Sequence, residues 1–122
     1  MSAATLPIHV EQGATFQRTL TITDAGVPVN LTGYTAQLQI RATVDGPDPL
    51  IDIDTSSGIT ITPLTGVIDI VISDTLTAAL PIKRPILGPQ PLGVWAINIT
   101  SPTGIVERLV EGQVTISPAV IR

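Results

Sequence analysis

The chain has 122 residues, enough for one domain, and its ten acids outnumber six Lys and Arg for a net charge of −4. One Lys (Lys83) and five Arg make no basic patch that would neutralise phosphates, so nucleic acid is not an expected partner. The lack of Cys excludes disulfides, thiol nucleophiles and thiolate metal sites, and no run of about 18 apolar residues is present to span a membrane.

Charged residues are only 13% of the chain, roughly half the usual share, and Thr, Ser, Gln and Asn take their place. A surface of short neutral polar groups is weakly solvated but cheap to cover, so the composition favours assembly with neighbours. The opening "MSAATLPIHVEQG" has neither the basic nor the apolar region of a secretion signal, and none is expected.

The dominant period is two. Leu6, Ile8 and Val10 form a short opening strand. In "TFQRTLTIT", Phe16, Leu20 and Ile22 share one face, opposite Gln17, Thr19, Thr21 and Thr23, and "DAG" at 24–26 then turns the chain. In "VNLTGYTAQLQIR" (29–41), Thr32-Gly33 is a turn. Tyr34, Ala36, Leu38 and Ile40 then alternate with Thr35, Gln37, Gln39 and Arg41. Tyr34 therefore closes one end of an aliphatic core, and the opposite face offers neighbours few charges to desolvate.

After the turn "DGPDP" (45–49), Ile51 and Ile53 alternate with Asp52 and Asp54. Ile59 and Ile61 follow "SSG", and Ile68, Ile70 and Ile72 follow "PLTG". Ser73 and Asp74 are helix-cap residues and Pro81 is a stop, which predicts one helical turn near 74–80. Trp95, Ile97 and Ile99 form a further strand, "SPTG" (101–104) a hairpin, and Val110, Val114 and Ile116 the last strand. About seven to nine short alternating strands predict an all-β chain, a single antiparallel β-sandwich spanning 1–122.

The stretch 81–93, "PIKRPILGPQPLG", breaks the period and reads as a Pro-rich loop. Two readings stand for its residues Ile82, Lys83, Arg84, Ile86, Leu87 and Leu92: a contact arm for a neighbouring subunit, or a flap folded back over one end of the sandwich. Glu107 and Glu111 fall on one side of the last strand with Arg108 opposite. At about 13 Å along the chain they are too far apart for a glycosidase pair, and an interface or cross-strand ion pair is the expected use.

His9 is the only His, so no zinc cluster is expected, and Asp45, Asp48, Asp52 and Asp54 lack the spacing of a calcium loop. No nucleophile elbow or phosphate loop occurs, and no catalytic residue, metal or cofactor is expected. "NLT" at 30–32 and "NIT" at 98–100 match the glycosylation sequon but carry no expectation without a secretion signal.

The order of landmarks resembles a known type of domain. "EQGATFQRTLTITDAGVPVNLTGYTAQLQIR", "GVIDIVISDTLTAAL" and "GVWAINITSPTGIVERLVEGQVTIS" are similar to the small immunoglobulin-like domain of tailed-phage and prophage proteins. The N-terminal domain of baseplate upper proteins and short proteins encoded near tail-fibre genes are of this type. The resemblance runs from about Val10 to Pro118, and the insert "IKRPILGPQPL" departs from it. It implies an immunoglobulin-like fold and a non-enzymatic virion component, a tail or baseplate adaptor present in several copies. It would be made in the host cytoplasm, with fibre, baseplate or tail proteins as partners and neither nucleic acid nor membrane among them. Edge strands, termini and the 81–93 loop would make the contacts. A capsid decoration protein is the alternative. A carbohydrate-binding module ranks below both, because sugar sites want aromatic platforms and aromatics are 2% of the chain.

Overall fold

A computed structural model describes residues 4–46 and 48–120. The strands are β1 (Ala4–Thr5), β2 (Ile8–Glu11), β3 (Phe16–Thr21), β4 (Thr23–Asp24), β5 (Val27–Pro28) and β6 (Thr35–Arg41). They continue as β7 (Ile51–Asp54), β8 (Ile59–Thr62), β9 (Val67–Ile72), β10 (Gln90–Thr100) and β11 (Val106–Ser117). One α-helical turn, α1 (Asp74–Ala78), falls where Ser73 was expected to cap it, and the Ser73 hydroxyl accepts from the Leu76 amide.

Two sheets enclose the core. The larger has the order β1-β11-β10-β6-β7, with β2 also on β11, and the smaller runs β3-β9-β8. The short β4-β5 hairpin stands apart from both. Neighbours pair antiparallel except at β11, which takes β1 and β2 in parallel. The N-terminal segment therefore lies along the last strand.

The period-two reading holds through the core. Ile8, Val10, Leu38, Ile40, Ile68, Ile70, Ile72 and Ile97 are all buried, and Trp95 is buried with them. Each such side chain contributes about 1.5–3 kcal/mol, so aliphatic packing carries a sandwich that has no disulfide between its sheets. Tyr34 packs on the rim of this cluster, as its phase required. Gly33 supplies the left-handed turn before it, at φ +80°, and a Cβ there would press on Pro102 at 2.7 Å.

Arg18 shares the inward side of β3 with Phe16 and Leu20 and is half-buried. Two expectations need correction. Residues 90–93 are not loop but the first residues of β10, paired to β11 through Gln90–Ile116 and Pro91–Thr115. Pro91 lies in the stretch of β10 that has a neighbour on one side only, because β6 joins β10 from Val94 onward. The second concerns β11. Ile97 pairs with Val110 but Asn98 pairs with Arg108, so Leu109 is an extra residue in a bulge. Leu109 and Val110 are consecutive and both buried. The bulge reverses the alternation, so Arg108 faces the same way as Glu111 while Glu107 sits opposite buried Ile99.

Candidate interaction surfaces

The 81–93 segment divides between the two readings. Its base is anchored: Gln12 donates to the Leu80 carbonyl at 3.1 Å, and the buried Thr77 hydroxyl accepts from Gly13 N and donates to Ala14 O at 2.8 Å. Ile82 packs against the core and Leu92 lies within it, so these two cap the sandwich end and are not a free contact surface. Ile86 and Leu87 point away, 58% and 82% exposed.

The buried Gln90 side chain fixes the turn between these groups. Its Oε1 accepts from the amides of Lys83 and Arg84, and its Nε2 donates to the Arg84 carbonyl at 2.8 Å. The chain thus presents a fastened apolar tip beside two exposed cations, Lys83 and Arg84. Sequence reasoning missed Gln90. A lone Gln flanked by Pro89 and Pro91 was its only signal.

The outer face of the larger sheet is the second surface. An open depression of about 460 Å³ is lined by β6, β10 and β11, with Ala96 and Val94 on its floor. Its polar groups hold one another. Asp52 accepts from both Gln37 and Gln39, and Arg41 donates to Gln39 at 3.0 Å and to the Gly46 carbonyl at 2.8 Å. Arg108 and Glu111, brought to one side by the bulge, form an exposed ion pair at 3.2 Å. Asn98, paired with Arg108 across the strands, has its Oδ1 buried without a hydrogen-bond partner among the described residues. The quiet face expected from Thr35, Gln37 and Gln39 is therefore a pre-ordered amide lattice with its charges balanced.

Asp54 accepts from Ser56 N and Oγ in a side-chain turn, and the Ser56 hydroxyl and amide hold its carboxyl below the usual range. No group of three His, Cys, Asp or Glu able to hold a metal occurs among the described residues. His9 approaches Ser117 Oγ at 3.0 Å, but its other nitrogen faces the Thr115 hydroxyl at 2.7 Å. A hydroxyl there cannot orient the ring or stabilise an imidazolium as a carboxylate would, so the contact lacks the third member of a triad.

The strand order β3-β9-β8 against β2-β11-β10-β6-β7 defines an immunoglobulin-like β-sandwich, with the added edge strand that variable-type domains carry. No family model and no curated protein matches the chain. Among solved structures it is similar to a chicken T-cell receptor, at 11% identity and a TM-score of 0.52. That likeness covers 98% of this chain and 55% of the receptor chain, so this chain spans about half the receptor's length. The extracellular domain of the voltage-gated sodium channel β4 subunit is also similar, at 12% identity and a TM-score of 0.47, covering 98% of this chain and 97% of that one.

Proposed function

We propose that this chain is a non-enzymatic structural subunit of a tailed-phage virion, an adaptor in the tail or baseplate that docks fibre or neighbouring tail subunits. The observation that carries the reading is the resemblance of the motif run from Val10 to Pro118 to baseplate-type domains. Its segments fall on elements that build the sandwich: "GVPVNLTGY" forms β5 and the turn into β6, and "SPTG" the β10–β11 hairpin. The surfaces suit assembly. A low-charge sheet face and a fastened apolar tip both lose little solvation when covered. The contact set is narrower than the whole 81–93 loop: Ile86, Leu87, Lys83 and Arg84 remain available, whereas Ile82 and Leu92 are used by the core.

Immunogold electron microscopy of particles, with antibody raised to this chain, tests the reading. Label at the distal tail is the expected result. Label on the capsid faces would favour a decoration protein, and particles without label would reject a virion role.

A further inference from the structure

The sheet edges differ in what they offer a neighbour. On the larger sheet β7 carries Asp52 and Asp54, and the opposite edge is broken between β1 and β2 by Pro7. On the smaller sheet β8 has four residues and runs into Pro63. β3 has six residues without Pro, and its register on β9 is unbroken from Phe16–Ile72 to Thr21–Val67.

Only half of the β3 backbone is bonded. Val71 N donates to the Gly58 carbonyl, toward β8, and Ile22 N donates to the Gly66 carbonyl in line with the β3–β9 register. Alternation therefore turns the backbone groups of Phe16, Arg18 and Leu20 toward β9 and those of Gln17, Thr19 and Thr21 out of the sheet. The inward side chains are incompletely covered along the same edge. Phe16, Arg18 and Leu20 are only half-buried, and no ion pair holds Arg18 among the described residues.

We propose that β3 takes up an extended segment of a different protein as an antiparallel strand, and that this segment carries the pattern apolar-x-acid-x-apolar. The outward N–H and C=O groups of Gln17, Thr19 and Thr21 bond its main chain. Arg18 then falls at a non-hydrogen-bonded position, where opposed side chains lie closest, so the acid meets its guanidinium. The flanking apolar residues cover Phe16 and Leu20. A second copy of this chain does not supply the pattern from its edges. β3 and β8 contain no acid, and Glu11, Asp52 and Asp54 each have a polar residue two places away, at His9, Asp54 and Asp52. The inference names one edge and one partner chemistry and does not depend on the virion reading, so its failure would leave that reading untouched.

The test is an NMR titration of the full chain with a capped peptide, "TVTETVT", and with its counterpart "TVTKTVT". The first is expected to shift the Gln17, Thr19 and Thr21 amides with a Kd on the order of 1 mM. The second is expected to bind about fivefold more weakly, since it sets a like charge opposite Arg18. Arg18→Glu, with its fold checked by circular dichroism, is expected to reverse the preference. No shift at these amides, or equal binding of the two peptides by the wild type, would overturn the proposal, and that comparison needs no variant. Concentration-dependent shifts at the same amides without peptide would also overturn it, by giving the edge to a second copy.

Discussion

The side-chain amide of Gln90 pairs with the backbone of Arg84 as a strand neighbour would, accepting from its N–H at 3.1 Å and donating to its C=O at 2.8 Å. The same oxygen also accepts from Lys83 N. Gln90 is 7% exposed, so water is poorly placed to substitute.

Gln90→Leu keeps the bulk but leaves two amides and a carbonyl without partners. A cost of about 2–4 kcal/mol is expected, against the usual 1–3 kcal/mol for each unmet buried group. Urea unfolding followed by the single Trp95 measures it. Limited proteolysis near Lys83 and Arg84 should accelerate by more than global stability explains, because the turn loosens before the sandwich does.

A second relationship ties the N-terminus to the core. Trp95 Nε1 donates to the Leu6 carbonyl at 2.7 Å, and Leu6 N donates to the Glu111 carbonyl at 2.8 Å. Gly112, opposite Trp95 on β11, lets the Leu6 backbone approach so closely that any Cβ would overlap its carbonyl. Gly112→Ala is expected to push Leu6 away, break both bonds and cost about 2–4 kcal/mol. Red-shifted Trp95 emission in the folded state and loss of amide protection over residues 4–11 would check it. A neutral result would show that the segment is not held in this way.

Most of the sandwich was legible because one-face burial imposes period two, and Ile51, Ile53, Ile68, Ile70 and Ile72 obey it without exception. The surfaces were less so. Leu109 carries no mark of a bulge, yet its insertion put Arg108 beside Glu111 and sent Glu107 to the other face. Pro91 hid the start of β10, because a ladder that lacks a neighbour on one side tolerates a residue the sequence pattern takes as a stop. The apolar residues of 81–89 could not be sorted by type. Ile82 and Ile86 are chemically alike, and only the clasp by Gln90 decides which one meets the core.

Asp54 is tied to the turn that follows β7. Its Oδ1 accepts from Ser56 Oγ at 2.6 Å and from Ser56 N at 2.9 Å, and these bonds lower its folded pKa. A lowered folded pKa means stability that is present above the unfolded carboxylate value and lost as pH falls through the folded one. Ser56→Ala is expected to raise the Asp54 pKa toward the ordinary Asp value and so to shrink that contribution. NMR titration of the Asp54 carboxyl carbon reads it directly, and an unchanged midpoint would remove the Ser56 hydroxyl as the cause.

The β4–β5 turn carries strain that its sequence does not need. Asp24 pairs with Val27, and the two residues between them, Ala25 and Gly26, have φ of +53° and +82°. A two-residue hairpin with both φ positive favours Asn-Gly. Ala25 pays the Cβ–carbonyl crowding of left-handed backbone, roughly 1–2 kcal/mol, without a side-chain oxygen to offset it. Ala25→Asn is therefore expected to stabilise by about 0.5–1 kcal/mol in urea unfolding. Gly26→Ala is the converse control. Nothing lies within 4 Å of the Cβ it would add, so its expected loss of about 1 kcal/mol reports backbone conformation alone. If both changes were neutral, the hairpin would have to adopt another turn in solution.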